Sequence, residues 1–175
     1  MRSAHPFATS ALVRLLLDHG ANLQLEDRQG RTALFLAAQL GWTWSMDMLL
    51  KKGADVNVRD KDGKTPLMWA MGNRNLGAVE LPIEKGARIN DKDNTGRAPL
   101  LLAITNSIND PITLYGTPTD HPAEKARQIE LVQFLIDKGA DVNARERNGE
   151  TPLKAAQHWR LSHLVDTLRK AGARG

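Results

Sequence analysis

Histidines are the first side chains to test for chemistry, because they serve as metal ligands and as general acids or bases. The closest pair, His158 and His163, is separated by a spacing that places the two rings on different faces of a helix or across a turn. The chain has no cysteine, which excludes Cys-ligated zinc and thiol catalysis. It also lacks a Gly-x-Ser-x-Gly nucleophile elbow and a Gly-x-x-x-x-Gly-Lys phosphate loop. We therefore predict no enzyme activity, no metal site and no cofactor.

The composition narrows the class of partner. The chain has 175 residues, of which 24 are Lys or Arg and 20 are Asp or Glu, and the net charge of +4 is too small to predict binding to nucleic acid. Apolar runs are short, as in 33–38, whereas a membrane-spanning helix needs about 20 apolar residues. The amino terminus carries no apolar signal-peptide core. We therefore expect a cytoplasmic protein without a membrane span.

Two series of glycines divide the chain into repeats. The dipeptide Gly-Ala recurs at positions 20, 53, 86, 139 and 172, and all but one of these intervals are equal. A second series, at Gly30, Gly63, Gly96 and Gly149, shows the same equal intervals and the same single longer one. The period is therefore about 33 residues, within the range of repeat architectures, and one repeat is longer by an insert.

Each repeat predicts two short helices. The first helix follows a threonine, such as Thr65 or Thr151, whose hydroxyl can accept a free backbone N–H, and the proline that comes next loses no helical hydrogen bond. The second helix has apolar residues at i, i+3 and i+4, as in 46–50, which predicts one buried stripe. The glycine of each Gly-Ala then ends that helix. Asp62-Gly63 predicts a hairpin turn between repeats.

These motifs closely resemble the ankyrin repeat, which opens with Thr-Pro-Leu-His-x-Ala and closes with Gly-Ala-Asp-x-Asn. Thr151 to Leu153 match the opening and Gly139 to Asn143 match the close, and the resemblance covers nearly the whole chain. It implies an all-α solenoid of helix-turn-helix units joined by β-hairpin-like turns, in a single domain over residues 1–175. The predicted units are about 1–26 (partial), 27–59, 60–92, 93–145 with an insert at about 107–126, and a carboxy-terminal cap at 146–175.

The chain departs from the ankyrin motif at the position of its histidine. Phe35, Met68, Leu101 and Lys154 stand there instead. We expect apolar packing at this position in the inner units and an exposed lysine in the last unit. A second departure is Pro82, which lies inside the second helix where the other units have leucine, and it predicts a kinked or shortened helix over Leu76–Lys85.

The amino-terminal half repeat and the insert both predict exposed surface. Residues 1–7 are too few for a first helix, so Leu12, Leu15 and Leu16 are expected to be exposed. Either further repeats precede them, or His5-Pro6-Phe7 folds back over them, or another molecule covers them. The insert contains three prolines, which disfavour a long helix, and we expect it to extend or shield the binding surface.

The ankyrin resemblance implies a protein partner, bound by the concave face and the hairpin tips, and no shared catalytic site. The basic residues that it places at the tips are Arg28, Arg31, Lys61, Lys64, Arg97 and Arg147. The other predicted contact residues are Leu40, Trp42, Trp69, Asn73, Asn106, Tyr115, His158 and Trp159. A basic row of tips favours an acidic partner through long-range attraction. The alternative is that these charges form only a solvated edge.

The tryptophans could either contact a partner or pack within the protein. Trp42 and Trp44 flank the turn after Gly41, and they are either binding hot spots or packed against the insert or the half repeat. Trp69 is predicted to lie closer to the concave face and to contact the partner. Trp159 is also predicted to lie closer to the concave face, and the alternative is that it covers the terminal repeat.

The sequence is also compatible with two other functions. The chain could be a non-catalytic regulatory fragment of a larger enzyme or effector. It could instead be a structural stack that self-associates through the leucines of the half repeat. A monomer is expected, and light scattering across a concentration series distinguishes it from a self-associating stack.

Overall fold

The computed structural model describes residues 6–72, 75–105 and 122–175, and these residues form helices and turns without a strand. The helices are α1 (Pro6–Asp18), α2 (Ala33–Gln39), α3 (Thr43–Lys51), α4 (Pro66–Ala70), α5 (Leu76–Glu84), α6 (Pro99–Thr105), α7 (Pro122–Asp137), α8 (Pro152–His158) and α9 (Ser162–Lys170). This architecture confirms the all-α class expected from the repeats. The chain consists of two compact units, Met1–Ala87 (unit 1) and Arg88–Gly175 (unit 2).

Unit 1 packs its helices in two layers. α3 contacts both α1 and α5 in an outer layer, and α2 contacts α4 in an inner layer. α2 also packs on α3, and α4 packs on α5, so the two helices of one repeat join the layers. The core between the layers is apolar. It includes Phe35, Met46, Leu67 and Met68, none of which is more than 2% exposed.

Unit 2 has the same arrangement, in which α6 and α9 each pack on both α7 and α8. Gln128 is a buried polar side chain between its helices. The Gln128 amide nitrogen donates to the carbonyl of Ile104 at 3.3 Å, and the Gln128 oxygen lies 2.9 Å from Nε2 of His163. Burial, and then the nearby charge of Lys125, hold the pKa of His163 below its usual value. The Gln128 oxygen can only accept, so Nε2 of His163 donates to it, and this polar chain ties α6, α7 and α9 together.

The helices begin and end largely where the repeat chemistry predicts. The hydroxyl of Thr65 accepts from the backbone N–H of Met68, and the hydroxyl of Thr151 accepts from that of Lys154. Thr32 makes no such side-chain bond at the start of α2. At the other end of the repeat, Gly53 closes α3 with φ of +96°. A residue with a Cβ atom would be strained in this left-handed conformation.

The prediction that apolar residues at the position of the motif histidine pack in the core is confirmed. Phe35, Met68 and Leu101 are buried with 0%, 2% and 2% of their surface exposed. Lys154, at the same position in the last repeat, is exposed. The side chains at this position therefore stabilise the inner repeats by burial, and the terminal repeat keeps a polar face towards solvent.

Of the two outcomes expected at Pro82, a kinked or a shortened helix, the shortening is wrong. α5 spans Leu76–Glu84 and carries Pro82 inside it, whereas α3, without a proline, has the same length. Pro82 is buried and lies in the last turn, where it removes a single hydrogen bond, to the carbonyl of Ala78. Packing on α3 and α4 keeps the helix at full length despite that loss.

The half repeat consists of α1, whose apolar face is only partly covered. Leu17 is 8% exposed, whereas Leu12, Leu15 and Leu16 are 55%, 56% and 50% exposed, as expected. In unit 2, α7 begins at Pro122, so the last residues assigned to the insert are helical. Proline fits there because the first helical turn needs no N–H donor at that position.

Candidate protein-binding surface

Each of the first three hairpin tips is held by an aspartate that the sequence analysis did not single out. Oδ1 of Asp27 accepts the backbone N–H groups of Gln29 and Arg31 at 2.8 and 3.0 Å. Asp60 and Asp93 accept the corresponding pairs of N–H groups in the next two tips. These aspartates recur at the repeat period, so the period itself contained the signal.

The same carboxylates pair with two of the predicted basic contacts. In unit 1, Nε and Nη2 of Arg31 donate to Oδ2 of Asp27 at 2.8 and 2.7 Å. Hydrogen bonding from the Arg31 side chain, followed by its backbone N–H, lowers the pKa of Asp27 to about 2. The stability that this pair contributes is complete above the ordinary pKa of 3.8 and is lost as the pH falls through about 2.

Unit 2 has an equivalent pair at its first tip. Nε of Arg97 donates to Oδ2 of Asp93 at 3.0 Å. Burial acts to raise the pKa of Asp93, but hydrogen bonds from Thr95 and Arg97 outweigh burial and hold the pKa below its usual value. The charges of Arg31 and Arg97 are therefore partly neutralised within the protein, which weakens the basic row that the sequence suggested.

Trp69 lies at the centre of the best-defined group of predicted contacts. Its indole Nε1 donates to Oδ2 of Asp60 at 2.8 Å, which fixes the orientation of the ring. Cζ of Arg31 lies 5.3 Å and Nζ of Lys64 lies 5.5 Å from the ring centroid, within the range of cation–π attraction. Trp69 is half-buried. The structure thus brings Arg31, Lys64 and Trp69 together, and these three residues are called the Trp69 cluster below.

Successive tips are joined by backbone hydrogen bonds inside each unit. The N–H of Lys61 donates to the carbonyl of Gln29 at 2.9 Å in unit 1, and the N–H of Arg147 donates to that of Thr95 at 3.3 Å in unit 2. Gly96 permits the second contact, because a Cβ atom there would lie 3.0 Å from the nitrogen of Arg147. The side chains of Arg28, Lys61 and Arg147 remain exposed at the tips.

Leu40 and Trp42 lie at the turn between α2 and α3, away from the tips in sequence. Leu40 is 54% exposed. Trp42 is half-buried and lines an apolar cavity together with Leu16 of the half repeat and Leu36 of α2. This position matches the interpretation of Trp42 as packed against the half repeat. Trp44, two positions later, is 48% exposed.

The contacts predicted at the end of α8 form an exposed aromatic pair in unit 2. The rings of His158 and Trp159 meet edge to face with centroids 4.9 Å apart. Both side chains are exposed, Trp159 to 45%. The remaining predicted contacts, Asn73, Asn106 and Tyr115, lie outside the described residues.

The last tip has a like-charge pair where the first and third tips have an ion pair. Glu146 occupies the place of Asp27, and Glu150 occupies the place of Arg31. Burial, together with the charge of Glu150, raises the pKa of Glu146 above its usual value. The stability associated with Glu146 is therefore greatest at low pH and falls as the pH rises through its folded-state pKa.

Glu150→Arg is expected to raise the free energy of unfolding by about 0.5 kcal/mol at neutral pH, an estimate kept small because solvent screens a partly exposed pair. The change replaces repulsion with the Asp27–Arg31 arrangement. Urea denaturation at pH 7 and at pH 4 checks it, since protonation of Glu146 should reduce the gain. Glu150→Gln, which only removes the repulsion, should give a smaller gain. An equal gain at both pH values would contradict the charge explanation.

Within the described part of the chain, no three His, Asp or Glu side chains are grouped so that they could hold a metal ion. None of the helices in that part has the length and apolar character that crossing a bilayer requires.

Comparison with protein families agrees with the geometry. A family model for ankyrin repeats (3 copies) matches residues 5–60 and 44–115, and a model for ankyrin repeats (many copies) matches residues 121–160. Ankyrin repeats are generally protein–protein interaction modules, and domains built from them are typically non-catalytic. The matches, the repeat period and the paired helices agree along most of the sequence. This chain belongs to the ankyrin-repeat family.

Proposed function

We propose that this chain binds a protein partner through the concave face, the hairpin tips and the inserted loop, with the Trp69 cluster as the central contact in unit 1. The observation that carries the proposal is the half-buried ring of Trp69, held by Asp60 and flanked by two cations. A tryptophan in a fixed orientation can be covered by a partner with little loss of conformational entropy. Tryptophan and arginine are also the side chains most enriched at binding hot spots.

The partner segment that suits the Trp69 cluster is acidic and carries an apolar side chain for the ring. Residues 27–31 and 60–64 contain four basic and three acidic side chains, so the basic excess is a single charge. A charge this small steers a partner weakly over long distances. The preference for acidic residues therefore comes from short-range contacts with the exposed Arg28 and Lys61 and with the Trp69 cluster.

The other predicted contacts extend this proposal. In unit 2 they are Arg97 and Arg147 at the tips and the exposed pair His158 and Trp159. Leu40 and Trp42 in unit 1, and Asn73, Asn106 and Tyr115 outside the described residues, complete the proposed set. We place the protein in the cytoplasm and expect it to act as a monomer, without nucleic acid.

Charge reversal at the tips of unit 1 tests the proposal. A partner is first captured by crosslinking mass spectrometry, and its affinity for the full chain is measured by calorimetry. The double variant Lys61→Glu with Lys64→Glu is expected to weaken binding at least about tenfold, because it repels an acidic segment at the Trp69 cluster. Trp69→Ala should give a loss of similar size.

The matched control is Lys51→Glu with Lys52→Glu, which changes the charge of unit 1 by the same amount at the end of α3. Both lysines are exposed, and their ion pairs with Asp47 and Asp18 contribute little to stability. This variant should keep its affinity to within about twofold. Equal losses in both variants would show that only overall charge matters, and unchanged binding in the tip variant would rule out the Trp69 cluster as the contact.

A further inference from the structure

We infer that Arg160, together with Trp159, forms a second contact for an acidic protein segment at the turn between α8 and α9 of unit 2. The guanidinium group of Arg160 binds an aspartate or glutamate side chain of the partner, and the indole of Trp159 covers the apolar side chain next to it. His158, Trp159 and Arg160 are called the α8–α9 corner below. The inference rests on the proposed function, because it names the binding arginine of unit 2 and the group that this arginine binds.

The backbone of Arg160 is held in a conformation that favours glycine. Its φ is +54°, and among the described residues it is the only one other than glycine with a positive φ. Gly41, at the same place in the turn between α2 and α3, has a φ of +68°. A side chain with a Cβ atom is strained in this left-handed conformation, whereas glycine is not. The arginine therefore weakens the fold at this turn, and strain of this kind is found at functional sites.

Backbone hydrogen bonds fix the α8–α9 corner in spite of this strain. The N–H of Arg160 donates to the carbonyl of Gln157 at 3.1 Å, and the N–H of Leu161 donates to that of Ala156 at 2.8 Å. Leu161 is only 3% exposed, so the residue after Arg160 is anchored in the core of unit 2. Because the turn is already ordered, a partner that binds here does not lose affinity by having to order it.

The α8–α9 corner is exposed because of its place in the repeat. His158 is exposed, and Trp159 is 45% exposed. Gln39 and Leu40 occupy the same places at the end of α2, and both are exposed although α4 of the following repeat stacks on α2. Stacking of a following repeat therefore leaves this position open, so the exposure of Trp159 does not depend on the repeat in which α8 lies.

Arg160 keeps its full charge for a partner. The stretch 151–165 contains no Asp or Glu. Within the described part of the chain, Arg160 forms no ion pair, whereas Arg31 and Arg97 each pair with an aspartate of their own tip. A carboxylate that binds Arg160 therefore has no ion pair to displace, and it meets no acidic side chain from the neighbouring sequence.

The chemistry of Arg160 and Trp159 selects an acidic protein segment. A guanidinium group presents a planar fork of N–H donors that matches a carboxylate in a bidentate arrangement. The imidazole of His158 meets the Trp159 ring edge to face with centroids 4.9 Å apart, and the exposed part of the indole suits one apolar or aromatic side chain. Nucleic acid needs a row of cations along its phosphates, whereas the corner offers one arginine and one histidine. The occupant is therefore an Asp or Glu next to Leu, Phe or Tyr in a partner protein.

A capped tetrapeptide, Ala-Glu-Phe-Ala, tests the inference on the full chain. Nuclear magnetic resonance gives one indole N–H signal for each of the four tryptophans, so binding at the α8–α9 corner is distinguished from binding at the Trp69 cluster. Titration should move the Trp159 signal until it saturates. The uncharged peptide Ala-Gln-Phe-Ala should bind at least about tenfold more weakly, and Arg160→Gly should weaken binding of the acidic peptide by a similar factor. Ala-Glu-Ala-Ala, which lacks the aromatic ring, should also bind more weakly.

Arg160→Gly has a second expected effect, because it also relieves the backbone strain. Urea denaturation should show a higher midpoint for this variant than for the parent, so the same change stabilises the fold and weakens binding. Arg160→Gln keeps the strained Cβ atom and removes the charge, and it should weaken binding without raising the midpoint. Arg169→Gln is the matched control, since Arg169 is an exposed arginine in the last turn of α9, and it should bind the peptide as the parent does.

Several results would overturn the inference. These are a Trp159 signal that the acidic peptide does not shift, equal binding by Ala-Gln-Phe-Ala, and Arg160 variants that bind as the parent does. Tighter binding of a peptide with phosphoserine in place of glutamate would assign the corner to a phosphorylated segment, and tighter binding of a single-stranded oligonucleotide would assign it to nucleic acid.

The proposed function can fail separately from this inference. If Lys61→Glu with Lys64→Glu leaves the affinity of the captured partner unchanged while Arg160→Gly lowers it, the Trp69 cluster is excluded as the contact and the α8–α9 corner is supported. If the tip variant weakens binding of the captured partner and neither Arg160 variant affects the partner or the peptide, the α8–α9 corner is excluded and the Trp69 cluster is supported.

Discussion

Phe35→Ala is expected to lower the free energy of unfolding by about 3–5 kcal/mol. Phe35 is 0% exposed and lies in α2, the helix that packs on both α3 and α4. Removing the ring takes its apolar surface out of the core and leaves a cavity that three packed helices cannot close. Urea denaturation followed by far-ultraviolet circular dichroism measures the loss, and hydrogen exchange should place it in α2, α3 and α4.

The repeats supply a matched control for this substitution. Lys154 stands at the same motif position in the last repeat but is exposed, so Lys154→Ala should change stability by less than about 0.5 kcal/mol. Phe35→Leu should give an intermediate loss because it keeps part of the buried volume. Equal destabilisation by Phe35→Ala and Lys154→Ala would mean that the motif position acts through the helix backbone rather than through burial.

Pro82→Leu is expected to stabilise the protein by about 2–3 kcal/mol, because the cost of an interior proline disappears and a hydrogen bond to the carbonyl of Ala78 becomes possible. Leucine is compatible with this place in the repeat. Leu49 in α3 and Leu135 in α7 occupy it and are 4% and 0% exposed. Thermal and urea denaturation should both show the gain.

The control for Pro82→Leu is a proline at a position where a backbone N–H would have no helical acceptor. Pro66 is the first residue of α4, where its missing N–H has no helical acceptor. Pro66→Leu should therefore give no gain. If Pro82→Leu left the melting temperature unchanged, the proline would cost nothing in the folded chain, and the contacts of its ring would have to offset the missing hydrogen bond.

The repeat period predicted the parts of the fold that depend on local chemistry. Thr65 and Thr151 cap their helices as expected, and Gly53 ends α3 in the left-handed conformation. The length of α5 could not be predicted this way. The sequence around Pro82 shows only that a backbone hydrogen bond is lost there. The packing of α5 on two other helices offsets that loss, and it cannot be read from neighbouring residues.

The candidate site was predicted only in part, because its contacts join residues that are distant in sequence. Arg31 and Trp69 were both named as contacts, but their approach to 5.3 Å requires α2 and α4 to stack. Asp27 and Asp60 went unnoticed, although they recur at the visible repeat period. The carboxylate of Asp27, like that of Asp93 at the third tip, pairs with an arginine and neutralises part of the basic row. This changes the expected attraction of a partner from long-range to short-range.

The sequence by itself determined the period, the helix pairs, the half repeat and the kinds of residue at the tips. Each of these follows from local rules of capping, helical periodicity and glycine conformation, which act over a few residues. Only the tertiary structure decided which charges are paired, how the Trp69 ring is held and where the apolar cavity beside Trp42 lies. Those features depend on which helices pack together and which surfaces stay uncovered. In a solenoid, both depend on how each repeat stacks on the next.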